Sequence, residues 1–285
     1  MLVLEEPQAA GRETVVALLR GSGASGLPVY LPDGPLQAVV VGLEATGAVV
    51  ADFVRPPGLL KPLELALALP TADANAFGNH VAFYRWDAGT SSPTDDRLVP
   101  SSARPTRPVL SAGDMPTQLG AAYLDGNGAQ DLVVASDGQH ELLVFLNSGT
   151  FDPGQPNEVD LDAFVESQTR VALPPGKPMA LLLGDFDGDA VSDVAAVTRD
   201  LVPQRDWSIT FYQSSGTGTL ATVRQMAHVR TGNHVVVNGS PVLRDADMLP
   251  ALADVNADAY PDLVLGWATA GSLDRNVRVV FGSAR

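Results

Sequence analysis

Gly184-Asp-Phe-Asp-Gly-Asp-Ala-Val-Ser-Asp193 is the stretch from which the rest of the 285-residue chain is read. Four aspartates, Asp185, Asp187, Asp189 and Asp193, occupy positions 1, 3, 5 and 9 of a nine-residue loop. Apolar runs flank it, Met179 to Leu183 before and Val194 to Val197 after. Carboxylates this close repel one another unless a cation lies among them. Flexible cages made only of oxygen suit Ca²⁺ better than Mg²⁺. A solvated acidic turn between two strands is the plainer alternative for any single loop, and repetition decides against it.

The pattern recurs. Asp254-Val-Asn-Ala-Asp-Ala-Tyr-Pro-Asp262 falls into register and places Asp254, Asn256, Asp258 and Asp262 at the four ligand positions. Tyr123-Leu-Asp-Gly-Asn-Gly-Ala-Gln-Asp131 keeps Asp125, Asn127 and Asp131, with Tyr123 where the first ligand should be. A degraded copy is read at Thr71 to Asn79, with Asp73 its charged member. The clear copies begin at 123, 185 and 254, intervals of 62 and 69 residues, a length that holds one small sheet. The flanks repeat as well. Leu132-Val-Val-Ala, Val194-Ala-Ala-Val and Leu263-Val-Leu-Gly follow the ninth position as short continuous apolar runs, the mark of a strand buried on both faces. Further strands follow at Glu141–Asn147, Trp207–Gln213 and Asn276–Gly282, and Val81–Trp86 is of the same kind. Small-residue turns such as Asn147-Ser-Gly-Thr end these strands.

Gly184 to Val197, Leu252 to Gly266, and Tyr123 to Phe145 with its Asn147-Ser-Gly-Thr-Phe tail resemble the FG-GAP/VCBS repeats of integrin α-chain-like β-propellers. The resemblance covers 116–285 well and 60–115 weakly. It implies an all-β fold: a β-propeller of about four to five four-stranded blades carrying Asp-rich calcium loops. It also implies the ligand set. Carboxylates or amides at positions 1, 3, 5 and 9, with the backbone carbonyl of position 7 (Val191 or Tyr260), would wrap one Ca²⁺. By charge the 185–193 loop should bind most tightly, 254–262 next and 123–131 weakly. The family's sixth position is usually glycine, as at Gly128. Here it is Ala190 and Ala259, and alanine tolerates positive φ badly.

The order of the chain fits a repeat array. Residues 1–58 read as a degenerate blade of four strands, Thr14–Leu19, Leu27–Leu31, Leu36–Leu43 and Ala48–Val54. Residues 59–112 read as a second degenerate blade, with a Pro/Ser/Thr-rich outer connection from Ser91 to Pro108. Three repeats follow at 113–175, 176–246 and 247–285. Pro116 and Pro178 open inner strands, where a missing N–H costs little. Asp152 to Asp162 reads as a solvated loop. Asn238-Gly239 is the turn pair of an outer hairpin, His234–Leu243. The last repeat lacks a fourth strand, and Thr14–Leu19 is expected to supply it by pairing with Val277–Phe281.

Composition narrows the function. A net charge of −15 argues against nucleic acid, which needs basic surface, and against anionic membranes. There is no cysteine, hence no disulfide or thiolate metal site. No apolar run reaches spanning length, and Met1-Leu-Val-Leu-Glu-Glu lacks the basic start of a signal peptide. Gly21-Ser-Gly-Ala-Ser-Gly26 matches a dinucleotide pattern but leads into strand-like residues, whereas a phosphate site needs a helix. His80, His140, His228 and His234 show no zinc spacing. An EF-hand needs an acidic twelfth position, and here that position is Val134, Ala196 or Leu265. The expectation is a non-enzymatic, extracellular or cell-surface module in which calcium holds the scaffold and loops meet a protein or glycan. Two alternatives stand beside it: an accessory domain of a secreted polysaccharide-active enzyme, and a catalytic propeller.

Overall fold

The computed structural model describes residues 2–8, 11–17, 20–22, 29–31, 38–40, 45–54, 64–70, 79–87, 97–101, 110–150, 154, 158–166, 170–199, 207–229, 235–237, 240–242, 248–268 and 275–282. They form antiparallel sheet throughout, with one 3₁₀ turn at Leu161–Ala163. Among the described residues no helix is long and apolar enough to cross a membrane.

Near the N-terminus β1 (Leu2–Gln8) pairs with β2 (Gly11–Ala17), β3 (Arg20–Ser22) pairs with β4 (Val29–Leu31), and β5 (Ala38–Val40) returns to the other edge of β2. Sheet I contains β6 (Gly47–Ala51), β7 (Glu64–Leu69), β8 (His80–Asp87), β9 (Arg97–Pro100) and β10 (Leu110–Ser111), the last two both on the outer side of β8. Sheet II contains β11 (Pro116–Ala122), β12 (Asp131–Ser136), β13 (Glu141–Asn147), β14 (Phe164–Glu166) and β15 (Val171–Ala172). Sheet III is β16 (Lys177–Gly184), β17 (Asp193–Arg199), β18 (Trp207–Ser214) and β19 (Leu220–Val229). The hairpin β20 (Val235–Val237) and β21 (Ser240–Val242) follows; the expected turn pair Asn238-Gly239 lies outside the described residues. Sheet IV is β22 (Met248–Ala253), β23 (Asp262–Ala268) and β24 (Arg275–Val280).

The inner strands β6, β11, β16 and β22 neighbour one another in that order, so the sheets stand side by side. The middle strands β7, β12 and β17 are buried on both faces, their alternate residues pointing to opposite sides of the sheet. Leu132 and Val134 pack with Ala66, Ala68 and Phe83 of sheet I. Val133 and Ala135, their neighbours on β12, pack with Val194, Ala196 and Tyr212 of sheet III. Val197 then joins Trp207, Leu263 and Leu265 between sheets III and IV. Each large side chain buried this way contributes about 1.5–3 kcal/mol. Close approach of inner strands depends on Gly120, where an added Cβ would lie 2.1 Å from Leu183. Both β11 and β16 carry a bulge just after their proline, between Pro116 and Gln118 and between Pro178 and Ala180.

Three expectations are corrected. Thr14–Leu19 does not extend sheet IV: β2 has β1 and β5 on its two edges, and β24 pairs with β23 alone among the described residues. A hairpin to an adjacent strand closes a far shorter loop than a link to the other end of the chain. Residues 1–58 are not one meander, since β3 and β4 pair apart from β1-β2-β5 and β6 belongs to sheet I. The Ser91–Pro108 connection lies at the outer edge as expected, where Arg97–Pro100 forms β9 against β8. Asp152–Asp162 is not wholly a solvated loop. Val159, Leu161 and Phe164 enter the layer between sheets I and II, and Phe164 lies 5.9 Å from Phe53 and 5.5 Å from Phe83, ring to ring. Asp160 caps the 3₁₀ turn there by accepting from the Asp162 N–H.

Candidate metal centre

In sheets II to IV the loop between inner and middle strand begins where the inner strand ends and closes at an aspartate that opens the middle strand. That ninth residue is a clamp. Asp193 Oδ2 accepts from the Phe186 N–H at 3.2 Å, and Oδ1 from the Ser214 N–H at 2.9 Å. Asp131 does the same with Leu124 and Asn147, both at 2.8 Å. Asp262 does so with Val255 at 2.8 Å and Gly282 at 2.9 Å. One carboxylate thus ties the second loop residue to the end of the third strand, through charge-assisted bonds worth about 1.5–3 kcal/mol each. All three are buried. Burial pushes the Asp131 and Asp193 carboxyls each up to about 6, against the lowering effect of their backbone donors.

The first residue of the loop gathers backbone. Asp185 Oδ1 accepts from the N–H groups of Gly188 (2.6 Å) and Asp189 (3.1 Å), and Oδ2 from Ala190 (2.9 Å). Asp254 accepts likewise from Asp258 (3.1 Å) and Ala259 (3.0 Å). The fifth residue holds the seventh: Asp189 accepts from the Val191 N–H and Asp258 from the Tyr260 N–H, each at 2.9 Å. This wrapping needs left-handed backbone at positions 4 and 6. Gly126 and Gly128 meet that need in the first clear loop, Gly188 and Ala190 in the second, Ala257 and Ala259 in the third. Gly188, at φ 82°, also lies under the Tyr260 ring of the next loop, where a Cβ would come within 2.3 Å.

Of the sequence-predicted ligands, Asp185, Asp187 and Asp193 converge, each offering a carboxylate oxygen within 4.8 Å of the others. Oxygens around one Ca²⁺ at 2.3–2.6 Å lie no more than about 5 Å apart. The donor set is therefore of the right kind and spacing for that ion. Asp189 sits at the rim, engaged with Val191. Asp254, Asn256 and Asp258 are exposed, and Asn256 Nδ2 donates to Asp258 Oδ2 at 2.8 Å. In the first loop Tyr123 offers no carboxylate, and Asn127 Nδ2 bridges Asp125 Oδ2 (2.9 Å) and the Asn147 carbonyl (2.8 Å). Asp125 and Asn127 are thus joined by internal hydrogen bonds, and Asn127 and Asp131 both bond to the backbone of Asn147.

Thr71–Asn79 lies outside the described residues except for Asn79, and it joins β7 to β8, not an inner strand to a middle one. The true counterpart in sheet I runs from Asp52 to Glu64. Glu64 opens the middle strand β7, is buried, and accepts from the Phe53 N–H at 2.9 Å, as the ninth aspartate does elsewhere. Burial pushes its carboxyl up to about 7. The signal was present in Asp52-Phe53, which matches Asp185-Phe186, and in the apolar run after Glu64. The loops also join sheets. The Ser192 N–H donates to the Tyr123 carbonyl at 2.9 Å, Ser214 Oγ to the Leu124 carbonyl at 2.8 Å, and the Asp52 N–H to Gln130 Oε1 at 2.7 Å.

Residues 124–196 match the FG-GAP-like repeat family. The match runs from the first clear loop through the outer strands of sheet II and the second clear loop to the middle strand of sheet III. No curated protein and no solved structure matches the chain.

Proposed function

We propose that this chain, which carries an FG-GAP-like repeat at residues 124–196, is a calcium-stabilised binding module of the β-propeller type that acts outside the cell and is not an enzyme. The side-by-side sheets are its blades, and a protein or glycan is the partner. The observation that carries the reading is the convergence of Asp185, Asp187 and Asp193 in a loop whose backbone is already wrapped by its own carboxylates. A bound Ca²⁺ would supply the positive charge that lets those groups remain ionised together. The chain's own residues do the rest. Asp185 shapes the loop, Asp185, Asp187 and Asp193 would offer their oxygens to the ion, and Asp193 would transmit its position to β18 through Ser214. Asp254, Asn256, Asp258 and Asp262 form the second site, and the seventh-position carbonyl is that of Val191 in the first site and of Tyr260 in the second. Extracellular modules bind calcium at about 10⁻⁴ to 10⁻³ M. A rigid, acidic scaffold of this kind has no use for nucleic acid and presents its loops to a macromolecular partner.

Thermal unfolding in EDTA, in millimolar Mg²⁺ and in millimolar Ca²⁺ tests the metal. A site at a hundred times its dissociation constant gains about 2.7 kcal/mol, a rise of roughly 5–10 °C for a chain of this size. The rise should be specific to calcium and vanish in Asp187→Ala with Asp258→Ala. No rise would make the loops ordinary turns. Binding to immobilised glycans and extracellular proteins, with and without EDTA, tests the partner.

A further inference from the structure

We propose that Gln213, outside the nine-residue loop, is a ligand residue of the Asp185–Asp193 site. Its side-chain carbonyl turns to the cation that the loop carboxylates hold. The inference rests on the calcium reading above and adds to it a residue that the motif does not contain. Gln213 Nε2 donates to Asp187 Oδ2, one of the three converging carboxylates. It reaches that position from β18, immediately before Ser214, whose N–H the Asp193 carboxylate clamps.

Comparison with the other loops supports the assignment. In each of them one side-chain amide meets one loop carboxylate: Asn127 Nδ2 on Asp125 Oδ2 at 2.9 Å, and Asn256 Nδ2 on Asp258 Oδ2 at 2.8 Å. Both asparagines stand at ligand positions of the repeat. The 185–193 loop has aspartate at all four side-chain positions, and its amide comes from the neighbouring strand. An amide carries a donor on one edge and an acceptor on the other, so a half-turn about its last torsion replaces N–H by carbonyl oxygen without moving the chain. A neutral oxygen also raises the ligand number towards the six to eight that Ca²⁺ prefers without adding a further like charge. The arrangement belongs to this site alone among the three loops. The residues before Asn147 and Gly282, at the places matching Gln213, are Leu146 and Phe281. Through Gln213 a bound ion would bear directly on β18, whose Ser214 Oγ donates to the Leu124 carbonyl of sheet II.

The test uses the full chain with the 254–262 loop disabled by Asp254→Ala and Asp258→Ala. The probe is Tb³⁺, with Ca²⁺ in competition. Luminescence decay in H₂O and D₂O counts the waters on the ion, and titration gives its affinity. Gln213→Leu places the side chain found at Leu146 and should add about one water to the ion and weaken binding about tenfold. Gln213→Glu should keep the water count and bind more tightly. An unchanged water count with equal or tighter binding in Gln213→Leu overturns the proposal and leaves the amide as a mere partner of Asp187. So does unchanged affinity in Gln213→Glu, which decides the matter if Gln213→Leu does not fold. A parent that takes up neither ion overturns the calcium reading itself, and the proposal with it.

Discussion

Glycine at positions 190 and 259 should make this protein more stable, although glycine in a folded chain usually does the reverse. Ala190 and Ala259 have φ of 67° and 72°. Left-handed backbone costs a residue with a Cβ about 1–2 kcal/mol. Glycine is free of that cost but has more conformational freedom to lose on folding, worth about 0.4–1 kcal/mol. The balance favours glycine by about 0.5–1 kcal/mol at each site, so Ala190→Gly with Ala259→Gly should gain about 1–2 kcal/mol. In a chain of this length that is a rise of roughly 2–8 °C in midpoint. The melt should be run in EDTA, so that any change in cation affinity stays out of the number. Ala221→Gly is the control: Ala221 is exposed in β19 and outside the left-handed set, and glycine there should cost about 0.5–1 kcal/mol. If the loop variants lose stability as the control does, the sixth position does not carry the strain assigned to it.

The Glu64 carboxyl gives the protein a pH slope that runs against acid denaturation. Its folded-state value of about 7 lies above the ordinary 4.5, so the folded chain binds the extra proton between those values. Its stabilising contribution is full below pH 4.5 and is lost as pH rises through 7, with a span of about 3 kcal/mol. Urea unfolding between those limits should show this slope in the parent and a flatter profile in Glu64→Gln; equal slopes would refute it. Calcium affinity should depend on pH in the opposite sense. Protons compete for Asp193, held up at about 6 by burial, so affinity measured by calorimetry should be level above pH 7 and fall about tenfold per unit below 6. Gly188→Ala should destabilise by more than the roughly 1–2 kcal/mol of its left-handed backbone, because the new methyl also meets the Tyr260 ring. Tyr260→Ala in the same chain should recover the excess and no more, as a double-mutant cycle in urea would show.

What the sequence made legible, and what it hid, follows from how far apart the cooperating residues lie. Asp185, Asp187, Asp189 and Asp193 act within one loop at fixed spacing, and the apolar runs after Asp131 and Asp193 mark strands buried on both faces, as β12 and β17 are; the run after Asp262 gives β23, where Leu263 and Leu265 are buried but Val264 is only half-buried. The sheet I counterpart was hidden because thirteen residues separate its ends inclusively, from Asp52 to Glu64, and because glutamate stands in for aspartate. Thr71–Asn79 has the nine-residue spacing, with Asp73 its one acid, but joins β7 to β8 and so follows the middle strand. In Val159, Leu161, Ala163 and Phe164 the apolar alternation was masked by the acids and prolines around it, though burial follows the alternation.

Gln213 is the far end of the same scale. Twenty residues separate it from Asp193, and it meets Asp187 because β17 and β18 pair with Val194 opposite Tyr212, which brings the end of β18 beside the loop. The ninth carboxylate explains why such a partner can be reliable. By holding the N–H at the end of the third strand it fixes the register of that strand against the loop, so the residue before the bound N–H always arrives at the same place. In sheets II and IV the chain spends that place on Leu146 and Phe281. In this chain the clamp therefore delivers a different side chain beside each acidic loop, Leu146, Gln213 or Phe281, and on the proposal above that residue decides what an otherwise unchanged loop can hold.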